Sequence, residues 1–245
     1  IVFGDWSSDV CSSDLFPTER ILRDIDLFFD AVDGVKFVPL IGGETFLHPD
    51  LNLIVRKLLE KRNFGILNIT TNGVVKMHPR VFEGMQDERT QLVFSNYKES
   101  LSNEQIDVYD RNVELAKSHG LHVIEPNITP TWSVPTTLSN KHYSLDTMIE
   151  KRRACLAPLN CKYLKNGKFF PCTVTDSIFN IKVADYPTDY VELDTASDAT
   201  DLHQKIRTLL DRKYFQSCGH CDGIAAQTGL AAKAGEQGFF DFINQ

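Results

Sequence analysis

The sequence predicts an α/β fold built on a parallel sheet, followed by a small cysteine-rich module. Two observations predict the sheet. Short apolar runs alternate with segments whose apolar residues recur at helical spacing, and the connections between them are short. A third observation predicts the module: Cys155, Cys161, Cys172, Cys218 and Cys221 fall in the last 91 residues, spaced C-x5-C-x10-C-x45-C-x2-C. A chain of 245 residues is long enough for one sizeable core and a smaller appended unit.

The first fifteen residues, Ile1 to Leu15, carry no helical or strand period and are crowded with Ser and Asp. Asp5 to Leu15 coincides with the in-frame translation of a common sequencing-adapter string. We expect this segment, with Cys11, to be non-native and the genuine sequence to resume near Phe16.

A helix is expected from Thr18, with Ile21, Ile25, Phe28 and Val32 on one face. Lys36 to Ile41 is an apolar run ending in Gly42-Gly43, the pattern of a buried strand. Asp50 opens a helix with Leu51, Ile54, Val55, Leu58 and Leu59 inward. Ile66 to Thr70 predicts a second strand, closed by Thr71-Asn72-Gly73, and Gln91 to Ser95 a third. Ser102 followed by Gln105 is a capping box, and Gly120 ends that helix. Leu121 to Ile124 predicts a fourth strand. Sheets of this kind place ligand sites at the carboxyl ends of their strands. Three such ends are polar or glycine-rich: Gly42-Gly43-Glu44, Thr70-Thr71-Asn72-Gly73 and Ser95-Asn96-Tyr97. Glu125, His122 and Trp132 also fall near a strand end and its loop, and we read them as structural.

From Pro126 to Tyr143 the periodicity dissolves into Pro, Thr, Ser and Asn, a linker or active-site loop. Residues 141–223 read as the cysteine-rich module. Cys161 to Cys172 predicts a β-hairpin turned at Asn166-Gly167, with a cysteine at each open end. A helix over Thr200 to Lys213 then delivers Cys218 and Cys221. Residues 224–245, rich in Gly and Ala, read as a loosely docked tail.

The net charge of −7 argues against a nucleic-acid surface. No apolar run reaches the roughly 18 residues of a membrane span. Reduced cysteines without a targeting signal point to the cytoplasm. Four thiolates in one site suit zinc or an iron–sulfur cluster, and spacing alone does not choose between them. Disulfides fit poorly in a chain of this length, and inert buried thiols do not explain the close Cys218-Gly219-His220-Cys221 pair.

Taken in order, these motifs resemble a radical S-adenosylmethionine enzyme with a C-terminal auxiliary-cluster module of the SPASM or twitch type. The resemblance covers roughly Thr18 to Gly223 and implies a partial (β/α) barrel over residues 16–140. Gly42-Gly43-Glu44 resembles the family's GGE(P) strand end, which binds the methionine moiety of S-adenosylmethionine, although Thr45 stands where many members have Pro. Thr71, Asn72 and Ser95 match further cofactor contacts. Each turn alone would be an ordinary tight turn; their order and the cysteines behind them carry the likeness.

Gly167-x4-Cys172 with a later CxxC is similar to the auxiliary-cluster pattern and implies one auxiliary 4Fe-4S cluster. Cys172, Cys218 and Cys221 are its ligands, with Cys155 or Cys161 the fourth. The family's C-x3-C-x2-C, which holds the catalytic cluster, is missing here, and only Cys11 stands in that region. The resemblance therefore implies a catalytically inactive, N-terminally truncated chain whose intact parent is an enzyme. That parent would cleave S-adenosylmethionine reductively and abstract hydrogen from a small-molecule or peptide substrate. An electron donor such as flavodoxin or ferredoxin would serve it. The competing reading is a non-catalytic zinc-binding or scaffold protein that retains the fold.

Overall fold

The structure, a computed structural model, describes residues 2–3, 16–127, 131–133, 136–223 and 231–233. Of the first fifteen residues, expected to be non-native and without strand period, Val2 and Phe3 form a strand that pairs with two others, a departure from that reading. Asp5 to Leu15 with Cys11 and most of the tail after Gly223 lie outside the described residues. Strand β1 (Val2–Phe3) precedes helix α1 (Thr18–Ala31), which buries Ile25, Phe28, Phe29 and Ala31. β2 (Val35–Leu40), α2 (Leu51–Glu60), β3 (Phe64–Thr71) and β4 (Thr90–Phe94) follow. Then come α3 (Asn103–Ser118) and β5 (His122–Ile124). The capping box forms as expected: Gln105 N donates to the Ser102 side chain, and Ser102 N to the Gln105 side chain.

The second half holds β6 (Thr131–Ser133), α4 (Leu145–Ala154), α5 (Ala157–Asn160) and the hairpin β7 (Tyr163–Lys165) and β8 (Lys168–Phe170). It closes with α6 (Thr173–Asn180), β9 (Val191–Glu192), α7 (Ala199–Leu210) and β10 (Ala231–Lys233). Asn166 and Gly167 turn the hairpin at φ 45° and 77°, the left-handed pair a two-residue turn requires. The expected helix over Thr200 to Lys213 ends earlier, at Leu210. Part of the tail forms β10, which pairs antiparallel with β6.

The strands form a mixed sheet in the order β5-β4-β3-β2-β1-β7-β8-β9. Pairing is parallel from β5 through β1 to β7, then antiparallel through the hairpin to β9. The fold is thus α/β with a parallel sheet. The parallel strands run in one direction, so Leu40, Thr71, Phe94 and Ile124 end at one edge, where the three predicted turns lie.

The hairpin belongs to the same sheet and the same core. Phe28 of α1 stacks on Phe169 of β8 with ring centroids 5.9 Å apart. Asp24, 3% exposed, accepts the Gly167 N–H at 2.8 Å and is held in turn by Arg20. Buried residues of α1, β2, β3, β4, β8, β9 and α7 form one hydrophobic cluster. Among the described residues no helix is long and apolar enough to cross a membrane.

Candidate cofactor and metal site

At the carboxyl edge of β2 and β3, Glu44 is half-buried and closely held. Its Oε1 accepts from Phe46 N at 3.0 Å and from Thr71 Oγ1 at 2.8 Å, and its Oε2 accepts from Asn72 N at 2.8 Å. A carboxylate offers about four lone-pair positions, so Oε2 retains capacity for one more donor. Burial pushes the Glu44 carboxyl above its ordinary value, opposed by these hydrogen bonds.

Each neighbour has its own support. Gly73 N donates to Thr71 Oγ1 at 3.0 Å and Val74 N to Asn72 Oδ1 at 3.0 Å, so the turn after β3 is fastened by its own side chains. Ser95 N donates to Thr71 O at 2.8 Å, which joins the ends of β3 and β4. A Cβ at Gly42 would meet nothing within 4 Å, so open space lies beside that backbone. Thr45, 8% exposed, has a buried Oγ1 with no partner among the described residues. The structure thus brings Glu44, Thr71 and Asn72 together, with Ser95 one backbone hydrogen bond away. An open backbone, an orphaned hydroxyl and a carboxylate with spare capacity suit a ligand bearing an ammonium group.

The cysteines arrive from three separate segments. Cys155 caps the end of α4, and Cys172 is the residue before α6. Cys218 sits in the 3-10 turn Gln216–His220, which Cys221 caps. Cys172 Sγ lies 3.2 Å from Thr175 Oγ1, which is 2.8 Å from Ser217 Oγ, and Gly223 N donates to Cys221 Sγ at 3.3 Å. Burial pushes the Cys172 thiol up to about 11, with the charges of Cys221 and Cys155 adding to it. Burial likewise pushes Cys218 to about 12, with Cys172, Cys221 and Asp189 adding. Cys221 is raised by burial, with Cys155 again adding.

Cys155, Cys172, Cys218 and Cys221 therefore share one electrostatic neighbourhood. The charge of Cys161 falls instead on Lys162 and Tyr163, the latter also within reach of Cys172. Cys161 packs against the aromatic cluster of Tyr163, Phe170, Phe179 and Tyr190. Among the described residues, no group of three or more His, Cys, Asp or Glu side chains is drawn together closely enough to hold a metal ion. These cysteines act on one another through charge without forming a coordination sphere among the described residues. Burial favours the neutral thiol at Cys172, Cys218 and Cys221, whereas a metal would need them as thiolates.

Residues that the sequence did not single out hold the turn in place. Asp189, 0% exposed, accepts the Ser217 N–H at 2.8 Å. His220 is spent on structure: Nε2 lies 2.9 Å from Tyr186 Oη and Nδ1 2.8 Å from Leu138 O. Only the fold shows that both ring nitrogens of His220 are engaged. No protein family and no curated protein matches this chain.

Proposed function

We propose that this chain is the cofactor-binding and auxiliary-cluster portion of a radical S-adenosylmethionine enzyme, with its parallel strands forming part of a (β/α) barrel. The observation that carries the reading is the strand-end cradle, in which Phe46 N, Thr71 Oγ1 and Asn72 N hold the Glu44 carboxylate next to the open backbone of Gly42. The cysteines support it from the other half of the chain. Within this reading we assign Cys155, whose charge acts on Cys172 and Cys221, as the fourth ligand of a 4Fe-4S cluster and Cys161, which packs on an aromatic cluster, as structural. Glu44 Oε2 would accept the ammonium group of S-adenosylmethionine, and the space beside Gly42 would admit its carboxylate to backbone amides.

When bound, S-adenosylmethionine supplies one-electron chemistry that removes hydrogen from an unactivated carbon. The residues here bind and orient it; Thr71 and the Asn72 N–H hold the Glu44 carboxylate in place for that contact. The sequence contains no C-x3-C-x2-C, so reductive cleavage is not assigned to these residues. Substrate hydrogen abstraction, on a small molecule or a peptide, belongs to the parent enzyme.

The test is anaerobic reconstitution with iron and sulfide, read by visible absorbance and by iron and sulfide content. The wild type and Cys161→Ser are expected to be brown and to hold one cluster, whereas Cys155→Ser loses it. A colourless protein that retains zinc would support the scaffold reading, and a cluster lost with Cys161 but kept without Cys155 would reverse the ligand assignment.

A further inference from the structure

A cavity of about 480 Å³ lies at the amino end of β2, the end away from the Glu44 cradle. Its floor is the top of the hydrophobic core. Phe28 of α1, Phe169 of β8 and Ile206 of α7 are 1%, 1% and 5% exposed there. Val32, Leu210 and the exposed Leu159 of α5 widen this apolar surface. The size falls within the range of small-molecule sites, about 300–1,000 Å³.

The polar part of the lining is all ionisable. It has no Ser, Thr, Tyr, Asn or Gln, so no neutral hydroxyl or amide side chain faces the cavity. What remains is Lys36, Lys162, His203, Arg207 and a single acid, Asp33. Among the described residues no carboxylate, Asp33 included, comes within 4.0 Å of the charged nitrogens of Lys36, Lys162 or Arg207. Lys36 Nζ stands 5.3 Å from the centre of the Phe37 ring, and Lys162 Nζ donates to Leu159 O at 3.0 Å. His203 is anchored, with Nδ1 2.8 Å from Ala31 O. Three fixed cations against one carboxylate give this lining a positive balance, in a chain whose net charge is −7.

We propose that this cavity binds a small apolar acid, a carboxylate carried on an aliphatic body of about ten carbons. The body would lie on the floor of Phe28, Phe169 and Ile206, where apolar surface leaves water. Arg207 would meet the carboxylate, since its guanidinium fork matches that group and has no ion-pair partner of its own, with Lys36 and Lys162 adding charge. The same lining repels a cationic body, and a sugar finds no neutral donor or acceptor there to replace water. No cysteine and no residue of the Glu44 cradle lines the cavity, so this site stands apart from the cluster and S-adenosylmethionine readings.

The test is titration calorimetry of decanoate, below its micelle-forming concentration, into the full chain, beside acetate and decylammonium. One decanoate is expected per chain. Acetate lacks the body and decylammonium reverses the charge, so neither should bind. Octanoate should bind about tenfold more weakly than decanoate, because two buried methylenes are lost. Arg207→Glu and Lys36→Glu, both at exposed positions, should each weaken decanoate about tenfold. Lys76→Glu carries the same charge change on the exposed turn after β3 and should leave binding unchanged. Decanoate should also raise the urea midpoint of the wild type, and raise that of Arg207→Glu less.

Decylammonium binding as tightly as decanoate, uptake of many decanoates per chain, or equal weakening by Lys76→Glu would each mean adsorption to apolar surface in general and overturn the proposal. Absence of decanoate binding by a chain whose circular dichroism is that of the folded protein would overturn it as well.

Discussion

Gly73 and Gly120 offer a controlled comparison, because their backbones are nearly the same and their surroundings are not. Gly73 has φ +77° and Gly120 φ +75°, both in the left-handed region. An alanine at either position therefore bears the same conformational cost of about 1–2 kcal/mol. At Gly120 the new Cβ meets nothing within 4 Å; at Gly73 it falls 2.6 Å from Tyr109 Cδ2 and 2.9 Å from Phe94 Cδ1. Those rings cannot step aside: both residues are 0% exposed, and they pack edge to face with centroids 5.5 Å apart. Overpacking a core in this way adds about 1–3 kcal/mol.

Gly73→Ala should then cost about 2–5 kcal/mol and Gly120→Ala about 1–2 kcal/mol. With a urea dependence of about 3 kcal/mol per molar for a chain of this size, the midpoints should fall by about 1 M and about 0.5 M respectively. The assay is urea unfolding followed by far-ultraviolet circular dichroism. Equal shifts for the two variants would refute the packing argument, since only the left-handed strain would remain. Gly42→Ala completes the set: its Cβ has open space, so stability should be unchanged while S-adenosylmethionine binding is weakened.

Two further outcomes follow from buried anions. Asp189→Ala strips the buried Ser217 N–H of its acceptor, which should cost about 1–3 kcal/mol in urea unfolding and lower the iron bound per chain. Glu44 titrates in the opposite sense to a salt-bridged acid. Its folded value is raised above 4.5, so its contribution to stability is full below that value and is lost as pH rises through the raised one. The stability of the wild type relative to Glu44→Gln should therefore decline from acid toward neutral pH. A difference that grows with pH would contradict the burial of this carboxyl.

The repeating half of the fold was legible because each of its elements carries a strong local signal. α1, α2 and α3 have one apolar face each, and β2, β3 and β4 are apolar runs bounded by turn residues. The hairpin was legible from Asn166-Gly167 alone. α4 was not: it has no buried residue and hence no apolar stripe, and its signal is only Ser144, whose hydroxyl accepts from Thr147 N at 3.2 Å. α6 was hidden by its composition, TVTDSIFN, where β-branched residues argue for strand and packing overrides them.

β6 and β10 fell in stretches read as loop and tail, since a three-residue pairing leaves no periodic trace. At the candidate site, the turns and the cysteines were visible as types. The packing of Cys161 against an aromatic cluster was not, because Phe179 and Tyr190 come from beyond the hairpin.

The cysteine-rich half also looked like a separable module in the sequence, and the packing gives a reason to treat it otherwise. β7 reaches the sheet that carries Glu44 and Thr71 through β1, which lies within the first fifteen residues, so the ties that do not depend on that segment come from α1. Asp24 of α1 holds the hairpin turn through Gly167, and Phe28 stacks on Phe169. Elements that share one core exchange their burial energy and melt together, whereas a module with its own core melts alone. Urea unfolding should then show one transition, with circular dichroism and the reactivity of the cysteine thiols coinciding. Asp24→Ala leaves the buried Gly167 N–H without its acceptor and should lower both probes' midpoints equally, by an amount set by about 1–3 kcal/mol. Thiols that become reactive well before the helices melt would show that the cysteine segment has its own stability, and that the shared sheet does not fix one site relative to the other.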